Sequence, residues 1–228
     1  AVDVEDRYRA LGIYDALHAL ELEIQYNLGW ANLGLAIVDA GNAERRAGSL
    51  AAAARHFQRL VDLAPMGQAV LRVYLGLAVT LREQGQYAQA DRFFLQAQQG
   101  ADFALDAQVR YERARSLLLD DRFEEARVVL APLVGLDPAA LRPEQRGGRF
   151  YVNLGHLWNA NSYLVESRAL RRAAERSASQ AALLARAQRA REAGLIRMNR
   201  LAGRGGPWPR VVEDLVAGEV RLNVPPAQ

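Results

Sequence analysis

Histidines, paired carboxylates and arginines are the residues through which this chain could do chemistry, and their spacing decides what that chemistry would be. The three histidines, His18, His56 and His156, lie far apart, and none sits in an H-E-x-x-H or similar ligand spacing. Cysteine is absent, which excludes disulfides and thiolate metal sites. The adjacent acid pairs, Asp120-Asp121 and Glu124-Glu125, flank a turn, where carboxylates cap helices or meet water more readily than they move protons. There is no Walker-type phosphate loop, no G-x-S-x-G elbow and no dinucleotide fingerprint after a strand. The expectation is therefore a non-enzyme with no catalytic residues, no metal and no cofactor. His156 is expected to be a polar residue of a binding surface rather than a ligand or base.

Arginine is the chemistry that remains. All 29 basic residues are arginine, which we read as codon bias more than as selection for guanidinium groups. Residues 168–204 hold ten arginines against two acids, Glu175 and Glu192, while the chain as a whole carries only +3. Such a segment suits an acidic protein, an anionic lipid surface or nucleic acid, or it is simply a set of solvated helix faces. Nucleic acid is the least favoured partner, because the arginines are not interleaved with stacking aromatics. Arg186, Arg189, Arg197 and Arg200 are the candidate basic surface.

The elements that carry these residues read as helices. Half of the 228 residues are apolar and 24% are charged, a balance that fits a folded chain. Alanine, leucine and arginine, all good helix formers, dominate. No run approaches the roughly 18 apolar residues that would span a bilayer.

Within the helical pattern a motif recurs. Tyr74, Leu77, Ala78 and Leu81 are followed by a break at Gly85, then by Ala90, Phe94 and Ala97. Large residues at these positions insert between helices, small ones permit close approach, and the glycine ends the first helix. A second copy has Ala114 and Leu117, a turn at Asp120-Asp121-Arg122, then Ala126, Leu130 and Leu133, with Asp137-Pro138 as the stop. Arg110 and Arg113 make its first helix atypical, and Pro132 is expected to bend or shorten its second. An earlier copy has Trp30, Leu33, Gly34 and Ile37, then Ala53, Phe57, Leu60 and Pro65, with a turn expected to be longer by seven residues around Gly41 to Gly48. A fourth has Tyr151, Leu154, Gly155 and Trp158. Its second helix is placed at Ala178 to Ala193, after an insertion that is itself helical near Glu166 to Arg176.

These patterns resemble the tetratricopeptide repeat (TPR) family over roughly residues 27 to 200. The resemblance implies an all-α, TPR-like α-solenoid of about three to four helix-turn-helix repeats with extra capping helices at both ends. The expected divisions are a capping helix over 1–26, repeats over 27–66, 71–104 and 107–140, and a degenerate repeat with basic helices over 148–202. A Gly/Pro linker and tail fill 203–228, with a short helix over Arg210 to Ala217, an extended stretch from Glu219 to Val224, and Trp208 as an anchor that docks on the repeats or on a partner.

In that family the first helix of each repeat lines a concave groove. Carried over, the groove residues are Asn32 and Leu35, then Arg72, Leu75, Val79 and Arg82, then Tyr111 and Arg115, then Asn153 and His156. Such a groove would hold an extended peptide or a helix of another protein. The lysine and asparagine set with which some family members hold a terminal carboxylate is not present, since Gly76 and Glu112 occupy sites where donors would be wanted. The expected role is a protein-binding scaffold or assembly factor. Self-association and anionic-surface or nucleic-acid binding are the alternatives. Because the sequence starts at Ala1, a bacterial periplasmic or membrane-associated setting through a removed signal or anchor is the expectation for location.

Overall fold

The computed structural model describes residues 4, 8, 11–63, 68–204 and 209–215, and among them every regular element is helical. The helices pack in sequence-neighbouring pairs and fall into two compact units, Ala1–Ala101 and Asp102–Gln228. The tail from 216 onward, Trp208 and the repeat-closing Pro65 lie outside the described residues.

The first unit holds α1 (Ile13–Val38), α2 (Ala43–Leu63), α3 (Gln68–Glu83) and α4 (Tyr87–Gln98). No break in the helix falls at residue 26, which lies inside α1, a single helix of 26 residues. The long turn expected around Gly41 to Gly48 is also overturned. The chain between α1 and α2 is only residues 39–42, and Asn42 Oδ1 accepts from Arg45 N at 3.1 Å as the cap of α2. Seven extra residues make about two helical turns, so α2 lengthens and keeps one buried face through Leu50, Ala53, Phe57 and Leu60. In α1 the buried residues are Gly29, Leu33 and Ala36, whereas Gly34 and Ile37 are exposed. The motif therefore placed Leu33 correctly, but the buried positions beside it are Gly29 and Ala36 rather than Gly34 and Ile37. Between α3 and α4 the break falls where the sequence put it, with Gly85 at φ +76°. Ala90, Phe94 and Ala97 of α4 are fully buried.

The second unit holds α5 (Phe103–Leu119), α6 (Phe123–Val134), a 3-10 turn (Pro143–Gly148), α7 (Arg149–Ala174) and α8 (Gln180–Ala202), followed by a helical stretch over 209–215. Asp102 caps α5 by accepting from Leu105 N at 2.8 Å. Asp121 takes the left-handed conformation (φ 56°) that the turn into α6 requires. Pro132 neither ends nor precedes the end of α6 by much, since the helix runs two residues further and stops at Gly135. The carbonyl that its missing N–H would have met belongs to Val128, an exposed residue, where water can serve it. The fourth pair differs from expectation. The supposed insertion at Glu166 to Arg176 is mostly the last part of α7, and the second helix is the longer α8 rather than Ala178 to Ala193. Two glycines let these helices close up: a Cβ on Gly155 would stand 2.8 Å from Leu133, and one on Gly194 would stand 2.8 Å from Leu164. Apolar packing continues from Leu157, Ala160 and Leu164 through Met198 and Leu201 to Val212 in the last described helix.

Candidate protein-binding surfaces

The ten groove positions separate into exposed and committed residues. In the first unit, Leu75, Val79 and Arg82 are buried, Arg82 to 3% exposure. Its guanidinium meets the Glu83 carboxylate at 2.9 Å, and the same carboxylate takes Arg46 of α2 at 2.9 Å. These three are corrected from surface to interior, since a partner cannot reach them. Asn32 is half-buried and spends its amide on the Leu28 carbonyl of its own helix (2.8 Å). Leu35 is 54% exposed, and Arg72 is exposed at the rim of a hollow of about 360 Å³ lined by Leu22, Tyr26, Leu60, Val70 and Val73.

In the second unit, Tyr111 is buried and packs against Tyr151 and Trp158 with ring centres 5.8 and 6.2 Å away. Arg115 lies over both the Tyr111 and Trp158 rings, at 5.6 and 5.5 Å, and pairs with Glu112 at 3.2 Å. The structure thus brings Tyr111 and Arg115 together as the joint between α5 and α7. Asn153 is half-buried. His156 does not join this cluster. Two residues from Trp158 on the same helix, it points roughly 200° away and its Nε2 meets the Leu136 carbonyl at 2.9 Å. Burial holds the His156 pKa below the ordinary imidazole value, with the Leu136 carbonyl and Asp137 opposing and Arg204 reinforcing that shift. A neutral ring donating through Nε2 keeps Nδ1 as an acceptor.

The acid pairs behave as surface charges. Arg122 bonds Glu125 at 2.6 Å and lies 3.7 Å from Asp120, and its hydrogen bond pulls the Glu125 pKa below the usual carboxylate range. His56 meets Gln25 at 2.7 Å. Among the described residues no group of three or more histidines and acids comes close enough to hold a metal ion, and no helix is long and apolar enough to cross a membrane.

Two surfaces stand out beside the buried groove positions, an apolar face of α1 that includes Leu35 and the α8 arginines expected as a basic surface. On α1, the face opposite Gly29, Leu33 and Ala36 carries Ile13, Leu17, Leu20, Ile24, Leu28, Leu35 and Val38, every one exposed to 40% or more. Their three- and four-residue spacing was readable as a helical stripe, but a helix apolar on both faces gives no sign of which one is turned inward. On α8, Arg186, Arg189 and Arg200 are exposed and Arg197 is half-buried, its guanidinium 4.3 Å above the Tyr163 ring. Arg127 of α6 covers Tyr163 at the same distance and pairs with Glu166 of α7 at 2.8 Å.

No family model matches the chain, and neither a curated protein nor a solved structure matches it.

Proposed function

We propose that this chain is a non-catalytic, TPR-like protein-binding scaffold, and that its principal docking surface is the outer face of α1. The observation that carries this is the stripe from Ile13 to Val38. A single exposed leucine needs no explanation, but a contiguous apolar stripe along a whole helix marks an interaction site. Leu17, Leu20, Ile24 and Leu28 are each between 41% and 59% exposed, and covering the remainder of each would contribute roughly 1 kcal/mol. The natural occupant is the apolar face of a partner helix, read by anchors one turn apart. The repeat reading is supported by helices packed in neighbouring pairs and by the register of the α3–α4 pair, where Gly85 breaks the chain and Ala90, Phe94 and Ala97 are buried.

The test replaces Leu20 and Ile24 with glutamate, both on the face of α1 away from its neighbours. Molar mass in solution is followed by light scattering over a concentration series, and partners are captured from the native cells. A partner, or a second copy of the chain, that is bound by the wild type and lost in L20E/I24E fits the scaffold reading. Identical mass and identical captured proteins in the two forms would refute α1 as the docking face.

A further inference from the structure

The C-terminal end of α8 closes a small pocket of about 160 Å³, lined there by Arg197, Arg200 and Arg204. His156 and Asn159 of α7 form its opposite wall, and Val134 and Leu201 add an apolar patch. Among the described residues no carboxylate pairs with any of the three arginines. Asp137, which bears on the charge of His156, is not in the lining, and its carboxylate accepts from Ala139 N at 2.9 Å. Arg200 and Arg204 are exposed beside the cavity, while the Arg197 guanidinium lies over Tyr163 and donates to the Ala193 carbonyl at 3.0 Å, and cations gathered about one hollow favour an anion among them. The volume is below the roughly 300 Å³ at which whole small-molecule ligands begin to fit, yet it suffices for one charged group.

The pocket is also the end of a longer feature. At 100° per residue, Arg186, Arg189, Arg197 and Arg200 fall within an arc of about 80° on α8 and follow it for about 21 Å. Glu192, the one acid on that helix, lies off the arc and is held by Gln188 at 2.7 Å. We propose that this arginine ridge and its terminal pocket bind an acidic polypeptide segment, one carboxylate of which enters the pocket.

Three observations favour a polypeptide. A ridge of this length places several cations beyond the reach of any ligand with a single charged group. Guanidinium forks match carboxylates two bonds at a time, and the apolar patch of Val134 and Leu201 suits the stem of an acidic side chain. Nucleic acid would need faces for its bases, and the aromatic beside the ridge, Tyr163, has an arginine 4.3 Å from its ring centre on α6 and another on α8. The proposal does not depend on the α1 reading, since it uses other helices and other variants, and either can fail alone.

The experiment is fluorescence anisotropy with a labelled glutamate-rich peptide of about eight residues, long enough when extended to follow the ridge. Oligo-dT of equal charge and inorganic phosphate are run beside it. Three charge reversals of equal size are compared, each checked by circular dichroism: R200E/R204E at the pocket, R186E/R189E on the ridge, and R172E/R176E off the ridge on α7 and the turn after it. The wild type should bind the peptide with an affinity that falls as salt rises. R200E/R204E should weaken binding by about tenfold or more, R186E/R189E by less, and R172E/R176E by no more than about twofold. Equal losses in all three variants would reduce the effect to net charge and overturn the proposal. It would also be overturned by oligo-dT binding as tightly as the peptide, or by phosphate displacing the peptide well beyond chloride at the same ionic strength.

Discussion

Phe57 lies in the first unit with no solvent exposure, between two residues that have no side chain. A Cβ on Gly29 of α1 would stand 2.8 Å from its ring, and one on Gly76 of α3 would stand 2.5 Å away. The ring has little room to yield, because Tyr26 and Trp30 meet it edge-on at 6.5 and 5.6 Å. Close approach, not backbone freedom, is what holds glycine at both positions. Alanine at position 76 gains up to about 1 kcal/mol of helix propensity, but forcing a methyl group into a closed contact costs roughly 1–3 kcal/mol. Gly76→Ala should therefore lower the denaturation midpoint. Gly34→Ala, with nothing within 4 Å of the added carbon, should raise it or leave it unchanged. Equal shifts in the two variants, or a higher midpoint for Gly76→Ala than for Gly34→Ala, read from urea titrations, would show that Phe57 is not held in this way. Neither glycine was legible as a packing residue. The repeat pattern drew attention to Gly34 instead, because Trp30 and Leu33 on the inward side fit its first half and nothing in the sequence distinguishes Gly34 from Gly29.

At the scale of elements, the α3–α4 pair was legible and the flanking pairs were less so, for one physical reason. Where the buried residues occupy a single face, as Ala90, Phe94 and Ala97 do in α4, periodicity fixes both the helix and its register, whereas α3 is buried all round from Leu75 to Arg82 and its groove positions could not be read. Where the run contains small and polar residues that suit a helix or a turn equally, as from Gly41 to Gly48 or from Glu166 to Arg176, local pattern does not find the ends. Packing decides there. Two added turns preserve the inward face of α2, so the helix simply grows. Gly48→Pro separates these readings. In a surface loop the substitution is tolerated, but in α2 it removes the hydrogen bond from residue 48 to the Glu44 carbonyl and clashes with it, at a cost of about 3 kcal/mol. The variant should lose helical signal by circular dichroism and unfold at lower denaturant, and wild-type behaviour would return this stretch to a loop. The candidate site followed the same division. Tyr111 and Arg115 were expected to line a groove, but their stacking on Trp158 makes them a joint between α5 and α7. The pocket at His156 was not foreseen, because Arg204 lies just past the end of α8 and Asn159 carries no sequence signal.

The whole molecule combines two units with unlike charge. Residues 1–101 hold eleven acids and nine arginines, while residues 102–228 hold fifteen acids and twenty arginines, so the net charges are −2 and +5. Each unit also has its own core, built around Phe57 and Phe94 in the first and around Leu130, Leu133, Leu164 and Met198 in the second. Chains whose helices pack mainly on sequence neighbours derive their stability from local cores and nearest-neighbour contacts, and one unit can weaken while another stands. Two tryptophans report on this directly. Trp30 meets the ring of Phe57, and Trp158 lies under Arg115 beside Tyr111. With Trp208 and one of these two changed to phenylalanine, the fluorescence of the other follows a single unit. Introducing Gly76→Ala should then lower the midpoint seen by Trp30 and leave that seen by Trp158 close to its original value. Equal shifts in both would mean that the chain unfolds as one cooperative body.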